Sequence, residues 1–140
     1  MSFPTPEAAD AAFYAAFEAR SLDAMMAVWS NDDSIACVHP LAAPLNGHAA
    51  VAAGWRSMFE AAGQFRVQVE LAHEIREADE VIRIVREHLI IGQETEPRPP
   101  ILATNVFRKE TAGWRMVLHH ASPLHVGGTP PARTPPVVLH

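Results

Sequence analysis

The chain has 140 residues, 49% of them hydrophobic and 19% charged, enough to bury one core but not two, and no apolar run is long enough to cross a bilayer. A single globular domain with no membrane partner is therefore expected. The net charge is −5 and the eleven basic residues are scattered, which excludes the electrostatic footprint of a nucleic-acid-binding protein.

The N-terminal Met1 to Glu7 has neither a basic leader nor an apolar h-region, so a cytoplasmic location is expected. Thr5-Pro6-Glu7 reads as a helix start, with threonine as N-cap, proline in the first turn and an acid near the positive helix end. Ala9, Phe13, Ala16 and Phe17 then recur at helical spacing to about Arg20. Ser21 caps a shorter helix whose buried stripe is Leu22, Met25, Met26 and Trp29, ended by the turn residues Ser30 to Asp33. Ser34 to Pro40 is a short strand stopped by its proline. It carries Cys37, the sole cysteine, which excludes an internal disulfide and a cysteine-built zinc cluster and suits a reducing compartment. After a loop from Leu41 to Leu45, Asn46-Gly47 launches a third helix with Val51, Trp55, Met58, Phe59 and Ala62, closed by Gly63.

From Phe65 the period switches to two. Phe65, Val67, Val69, Leu71, His73 and Ile75 form an apolar face against a wet one, which places His73 on the apolar side. Glu77 to Glu80 turns into a strand over 81–91 in which neither face is cleanly polar, so that strand is central or interfacial. Gly92 to Pro100 is a loop, and Ile101 to Arg108 pairs with Trp114 to Pro123 across the turn 109–113. Strict alternation puts Trp114, Met116, Leu118, His120 and Ser122 on one face of the last strand and Arg115, Val117, His119 and Ala121 on the other. The two histidines cannot serve the same site. Pairing with Asn105 and Phe107 assigns His120 to the interior and His119 to a subunit interface. The domain is expected to span 1–123, and the Pro- and Gly-rich residues 124–140 to form an extended arm.

Helix, helix, short strand, helix and an antiparallel meander make an α+β domain with helices on one sheet face. Phe13 to Phe17, Leu22 to Trp29, Asn31-Asp32-Asp33, Val38-His39-Pro40 and Gly113-Trp114-Arg115 through His120-Ala121-Ser122 resemble the SnoaL-like branch of the nuclear-transport-factor-two-like superfamily. The resemblance covers nearly all of the chain up to Pro123. It implies a cone-shaped, curved antiparallel sheet wrapped around the three helices, a cystatin-like roll, enclosing a pocket and often dimeric through the sheet face. It is specific for fold and unspecific for function.

Against the pattern of ketosteroid isomerases, His39 stands where the proton-abstracting aspartate would be, Asn105 corresponds to the later aspartate, and Phe13 takes the tyrosine position. Because phenylalanine cannot donate to an oxyanion, steroid isomerisation is not expected. The resemblance instead points to a protein that binds a small apolar ligand without a cofactor; if it is an enzyme, the expected chemistry is an isomerase or lyase step in which His39 is the base and Asn105 the polariser. The pocket is expected to be lined by Phe13, Trp29, Cys37, Trp55, Phe59, His88, Phe107 and His120. No metal site is expected, because the histidines lack helical or strand ligand spacing. The alternative is a non-catalytic association domain similar to that of calcium/calmodulin-dependent kinase, for which an interior closed by Phe13, Trp29 and Trp55 would speak.

Overall fold

The computed structural model, which describes residues 2–95 and 98–124, begins as its caps dictate. The hydroxyl of Thr5 accepts a hydrogen bond from the N–H of Ala8 and opens α1 (Pro6–Ala19), and Arg20 closes it in a left-handed conformation. Ser21 accepts from Ala24 N–H and starts α2 (Leu22–Val28). There follow β1 (Ala36–Val38), β2 (Leu45–Asn46), α3 (His48–Ala61) and four long strands: β3 (Phe65–Arg76), β4 (Glu80–Ile91), β5 (Ile101–Glu110) and β6 (Gly113–Pro123). The two-residue β2 falls where a loop was expected, because Leu45 and Asn46 pair with Cys37 and Ala36.

The six strands form one mixed sheet in the order β2-β1-β6-β5-β4-β3. All neighbours are antiparallel except β1 and β6, which run parallel. This corrects the expected cone-shaped, wholly antiparallel roll. The sheet is open and not strongly curled: the short β2 ends one side, the long β3 ends the other, and the two do not meet. Closure needs every edge paired, and a two-residue edge strand offers too short a ladder to recruit a twelve-residue one.

One sheet face packs against the helices. Phe13 and Phe17 of α1, Trp55 and Phe59 of α3, and Phe65 of β3 meet in edge-on and tilted ring contacts, with centroids 5.1 to 6.2 Å apart. Trp29, Met25, Phe107 and Met116 are fully buried beside them. The N-terminal segment is held too, with Trp114 N–H donating to Phe3 carbonyl. That approach needs Gly113, whose φ is +121° and whose absent Cβ would lie 2.7 Å from the Phe3 oxygen.

Two β-bulges decide which side chains face the helices. In β3 the register shifts between Leu71 and His73, leaving Ala72 unpaired. In β6, Phe107 pairs with Met116 but Val106 pairs with Leu118, so Val117 is the extra residue. Each insertion inverts the alternation beyond it. His73 therefore turns away from the helices and Glu74 turns toward them, opposite to strict alternation. On β6, His119 is 1% exposed and faces the interior, whereas His120 is exposed on the other face, reversing the expected division. Among the described residues no helix is long and apolar enough to cross a membrane. From residue 125 onward the expected arm lies outside the described residues.

Candidate functional site

Between α1, α3 and the inner face of β3 to β6 remains a cavity of about 220 Å³. Its walls are largely apolar: Phe17, Met58, Phe65, Leu89, Ile91 and Ile101 line it, with Pro40 and His39 at one side. Two polar side chains of the sheet also reach it, Glu87 from β4 and His119 from β6. Both are inward residues of their strands, Glu87 opposite Ile101 and His119 opposite Asn105.

These two groups are the ends of a buried hydrogen-bond chain. The hydroxyl of Tyr14, on α1, donates to Glu87 Oε2 at 2.5 Å. Asn105 Nδ2 donates to the Tyr14 oxygen at 2.9 Å, and Asn105 Oδ1 lies 2.6 Å from His119 Nδ1. With its amide N–H spent on Tyr14, Asn105 offers His119 only an acceptor, so Nδ1 of the imidazole carries the proton and donates. Burial pushes the Glu87 carboxyl up to about 7, opposed by the Tyr14 bond and reinforced by Asp10. Burial also drives His119 down to about 3, helped by His39, so its ring is neutral. The Tyr14 hydroxyl is held well above its ordinary value by burial and by Glu87. A second cluster fixes the same helix to the sheet: Arg83 bonds Asp10 Oδ2 at 3.1 Å and Glu74 Oε1 at 2.5 Å, and Arg76 joins Glu74 to Glu7.

His39 lines the cavity, its ring edge-on to Trp55 at 4.7 Å and Nε2 3.7 Å from Cys37 Sγ. Burial lowers its basicity. Asn105 is fully buried outside the cavity wall, with both amide ends engaged by Tyr14 and His119. Phe13, Trp29, Cys37, Trp55 and Phe107 are fully buried packing residues, and Phe59 nearly so; none of the six lines the cavity. Burial raises the Cys37 thiol to about 12. His88 and His120 point away from the cavity. His88 lies beside Glu70 at 3.5 Å on the outer face, and His120 is exposed opposite Thr104. Tyr14, not the expected position Phe13, supplies the phenol that reaches the polar cluster. Sequence reasoning missed Glu87 and His119 as a pair: neither face of the strand over 81–91 stands out as polar, and the bulge at Val117 hid which histidine accompanies Glu87.

The outer face of the sheet carries a different pattern. Ile75, Ile82, Val106 and Leu118 are cross-strand partners in one row over β3, β4, β5 and β6. Ile84 and Leu102 continue the apolar pattern on the same face, and Ile75 is 47% exposed. At its border Arg86 and Glu70 form a 3.5 Å ion pair.

Residues 7–125 match the SnoaL-like domain family, and the chain belongs to that family. A solved structure from Thiobacillus denitrificans, provisionally described as a calcium/calmodulin-dependent protein kinase type II association domain, is 76% identical over 89% of this chain and 99% of its own, with a TM-score of 0.88. A provisionally described dehydratase of the NTF2-like family from Streptomyces avermitilis is 25% identical over 84% of this chain and 92% of its own, with a TM-score of 0.74. Structures described as NTF2-like or cystatin-like at 13 to 18% identity share the fold alone. Among curated proteins, F-box protein SKIP8 of Arabidopsis thaliana is 28% identical over 110 residues, 79% of this chain; the chain spans 46% of that relative's length.

The 76% match, together with the open sheet, corrects the expectation of an apolar cone pocket in which His39 transfers a proton. Phe13, Trp29 and Trp55 are packed into the core and leave only the cavity beside them, and the amide meant to polarise a carbonyl is already bound at both ends.

Proposed function

We propose that the chain is a non-catalytic association domain, a cytoplasmic module that joins a second copy of itself through the outer face of its sheet. The reading is carried by the apolar row Ile75, Ile82, Val106 and Leu118, which crosses four strands on the face that the helices leave uncovered. Water against such a row is unfavourable, and a two-fold partner covers it with the same row. The rim carries both signs of charge, Arg86 beside Glu70, so it brings no excess of one sign to a self-pairing face. The likeness to the Thiobacillus denitrificans protein described as an association domain supports the same conclusion.

The test is the mass in solution. Ile82→Glu and Leu118→Asp place a charge in the centre of the row, and each should weaken the dimer by roughly thirtyfold or more, the scale of one interface hot spot. Sedimentation equilibrium should then show monomers with unchanged circular dichroism. A variant that remains dimeric at the wild-type concentration dependence would reject this face as the interface.

A further inference from the structure

With Glu87 ionised, the hydrogen-bond chain that crosses the core runs in one direction, and the direction decides what its two ends can offer. His119 Nδ1–H donates to Asn105 Oδ1, Asn105 Nδ2–H to the Tyr14 oxygen, and Tyr14 O–H to Glu87 Oε2. Asn105 takes that orientation from its two partners, with Nδ2 on the Tyr14 oxygen and Oδ1 on the His119 ring nitrogen. Every proton in the chain thus points toward Glu87. At one end, Glu87 Oε1 has no hydrogen-bond partner among the described residues, and at the other neither does His119 Nε2, a bare lone pair on a neutral ring. Both residues line the cavity. No lysine or arginine does. The wall therefore presents two acceptors in an apolar enclosure and no cationic side chain to meet them.

We propose that this cavity is a binding site for a small primary amine, bound as its ammonium ion, whose apolar body fills the space between Phe17, Phe65, Leu89 and Ile101. The ammonium donates to Glu87 Oε1 and to His119 Nε2, satisfying the two acceptors that the chain leaves open. A low-polarity wall makes an unpaired carboxylate costly and its pairing with a cation correspondingly favourable. Size sets the class further: an apolar cavity of about 150 Å³ holds benzene, so about 220 Å³ suits a single ring with a short aminoalkyl arm. An anionic ligand is opposed by Glu87 and gains no donor from His119, which stays neutral well below pH 7. The site involves no bond-making step and is independent of the sheet face assigned to self-association.

Ionised Glu87 is what attracts the ammonium, so binding should strengthen as pH rises through about 7. The groups facing it are Tyr14 and Asp10 from α1, with Arg83 on its own strand neutralising Asp10, and Cys37 of β1; Asn105 of β5 follows in the hydrogen-bond chain, and His119 of β6 and His39 next to β1 line the same cavity. Of these, neither His119 nor Tyr14 changes charge between pH 6 and pH 8 in the directions burial pushes them.

The experiment is isothermal titration of the full chain at pH 8 with benzylamine, toluene and benzoate as probes. Benzylamine should bind most tightly and benzoate not at all. Glu87→Gln should weaken benzylamine by about tenfold or more, the scale of one charge-assisted hydrogen bond, while toluene affinity stays within about twofold and reports that the cavity is intact. Equal affinity for benzylamine and toluene in the wild type, retained benzylamine affinity in Glu87→Gln, preferred binding of benzoate, or no binding of any probe would each overturn the assignment. Loss of toluene binding in Glu87→Gln sends the test to His119→Phe, which should also lose benzylamine selectively; equal loss of both probes there would overturn it too. The dimer mass, measured in parallel, reports separately on the association reading.

Discussion

Glu87 and His119 are both almost sealed from water, and burial moves their protonation in opposite senses. The Glu87 carboxyl keeps its proton up to about 7 in the folded chain but releases it near its ordinary 4.5 when unfolded. Between those values the folded state binds more protons. The contribution of Glu87 is thus fully present below pH 4.5 and is lost as pH rises through about 7. His119 behaves in reverse: its neutral ring contributes above the ordinary 6.5, and the contribution is lost as pH falls toward about 3. In denaturant titrations the stability difference between wild type and Glu87→Gln should shift toward the variant by up to about 3 kcal/mol from pH 4.5 to pH 8. A difference that stays flat would mean that Glu87 titrates like an exposed acid. Tyr14→Phe leaves the Glu87 carboxyl without its partner and the Asn105 Nδ2 unpaired, so thermal unfolding should show a loss of about 1–3 kcal/mol.

At the scale of elements, the two adjacent histidines separate cleanly. His119→Ala removes a buried ring and strands Asn105 Oδ1, an expected cost of about 2–4 kcal/mol, whereas His120→Ala on the exposed side should stay within about 0.5 kcal/mol. Equal effects in chemical denaturation would contradict the bulge at Val117. That bulge also marks where the sequence stops being legible. Caps and periodicity were enough for α1, α2, α3 and the four long strands, because Thr5, Ser21 and the alternation from Phe65 act locally. Thr5→Ala should accordingly cost about 1 kcal/mol in helix stability, read as a lowered midpoint in thermal melts. A one-residue insertion leaves no such local mark: Ala72 and Val117 are ordinary strand residues, and only the partner strand records that they are unpaired. On β3 alternation was therefore right as far as Leu71 and wrong for His73, and on β6 right as far as Met116 and wrong from Leu118 on, His119 and His120 included. The pairing of Tyr14 with Glu87 spans 73 residues and could not be read from spacing either.

For the whole molecule, the sheet separates two kinds of surface. Its inner face is committed to the helices, the aromatic core and the cavity; its outer face holds the apolar row and a mixed-charge rim. The open topology follows from unequal edges, the two residues of β2 and the twelve of β3. Those twelve have some protection against unwanted pairing: Glu18 accepts from Val67 N–H, and Arg76 and Glu74 are drawn toward α1 and β4 by ion pairs.

The parallel pairing of β1 with β6 also carries a consequence for how the chain is made. Ala36, Cys37 and Val38 find their partners at Leu118, His119 and His120, so the helical half, synthesised first, lacks its strand neighbour until the last described strand has been added. The hairpins of β3 to β6 close locally and early, whereas the β1–β6 ladder must wait for a long loop to close. Joining the two halves is then a late, slow event, and a nascent chain stalled before Gly113 holds β1, Cys37 included, without its long strand neighbour, the state in which a chaperone would find it.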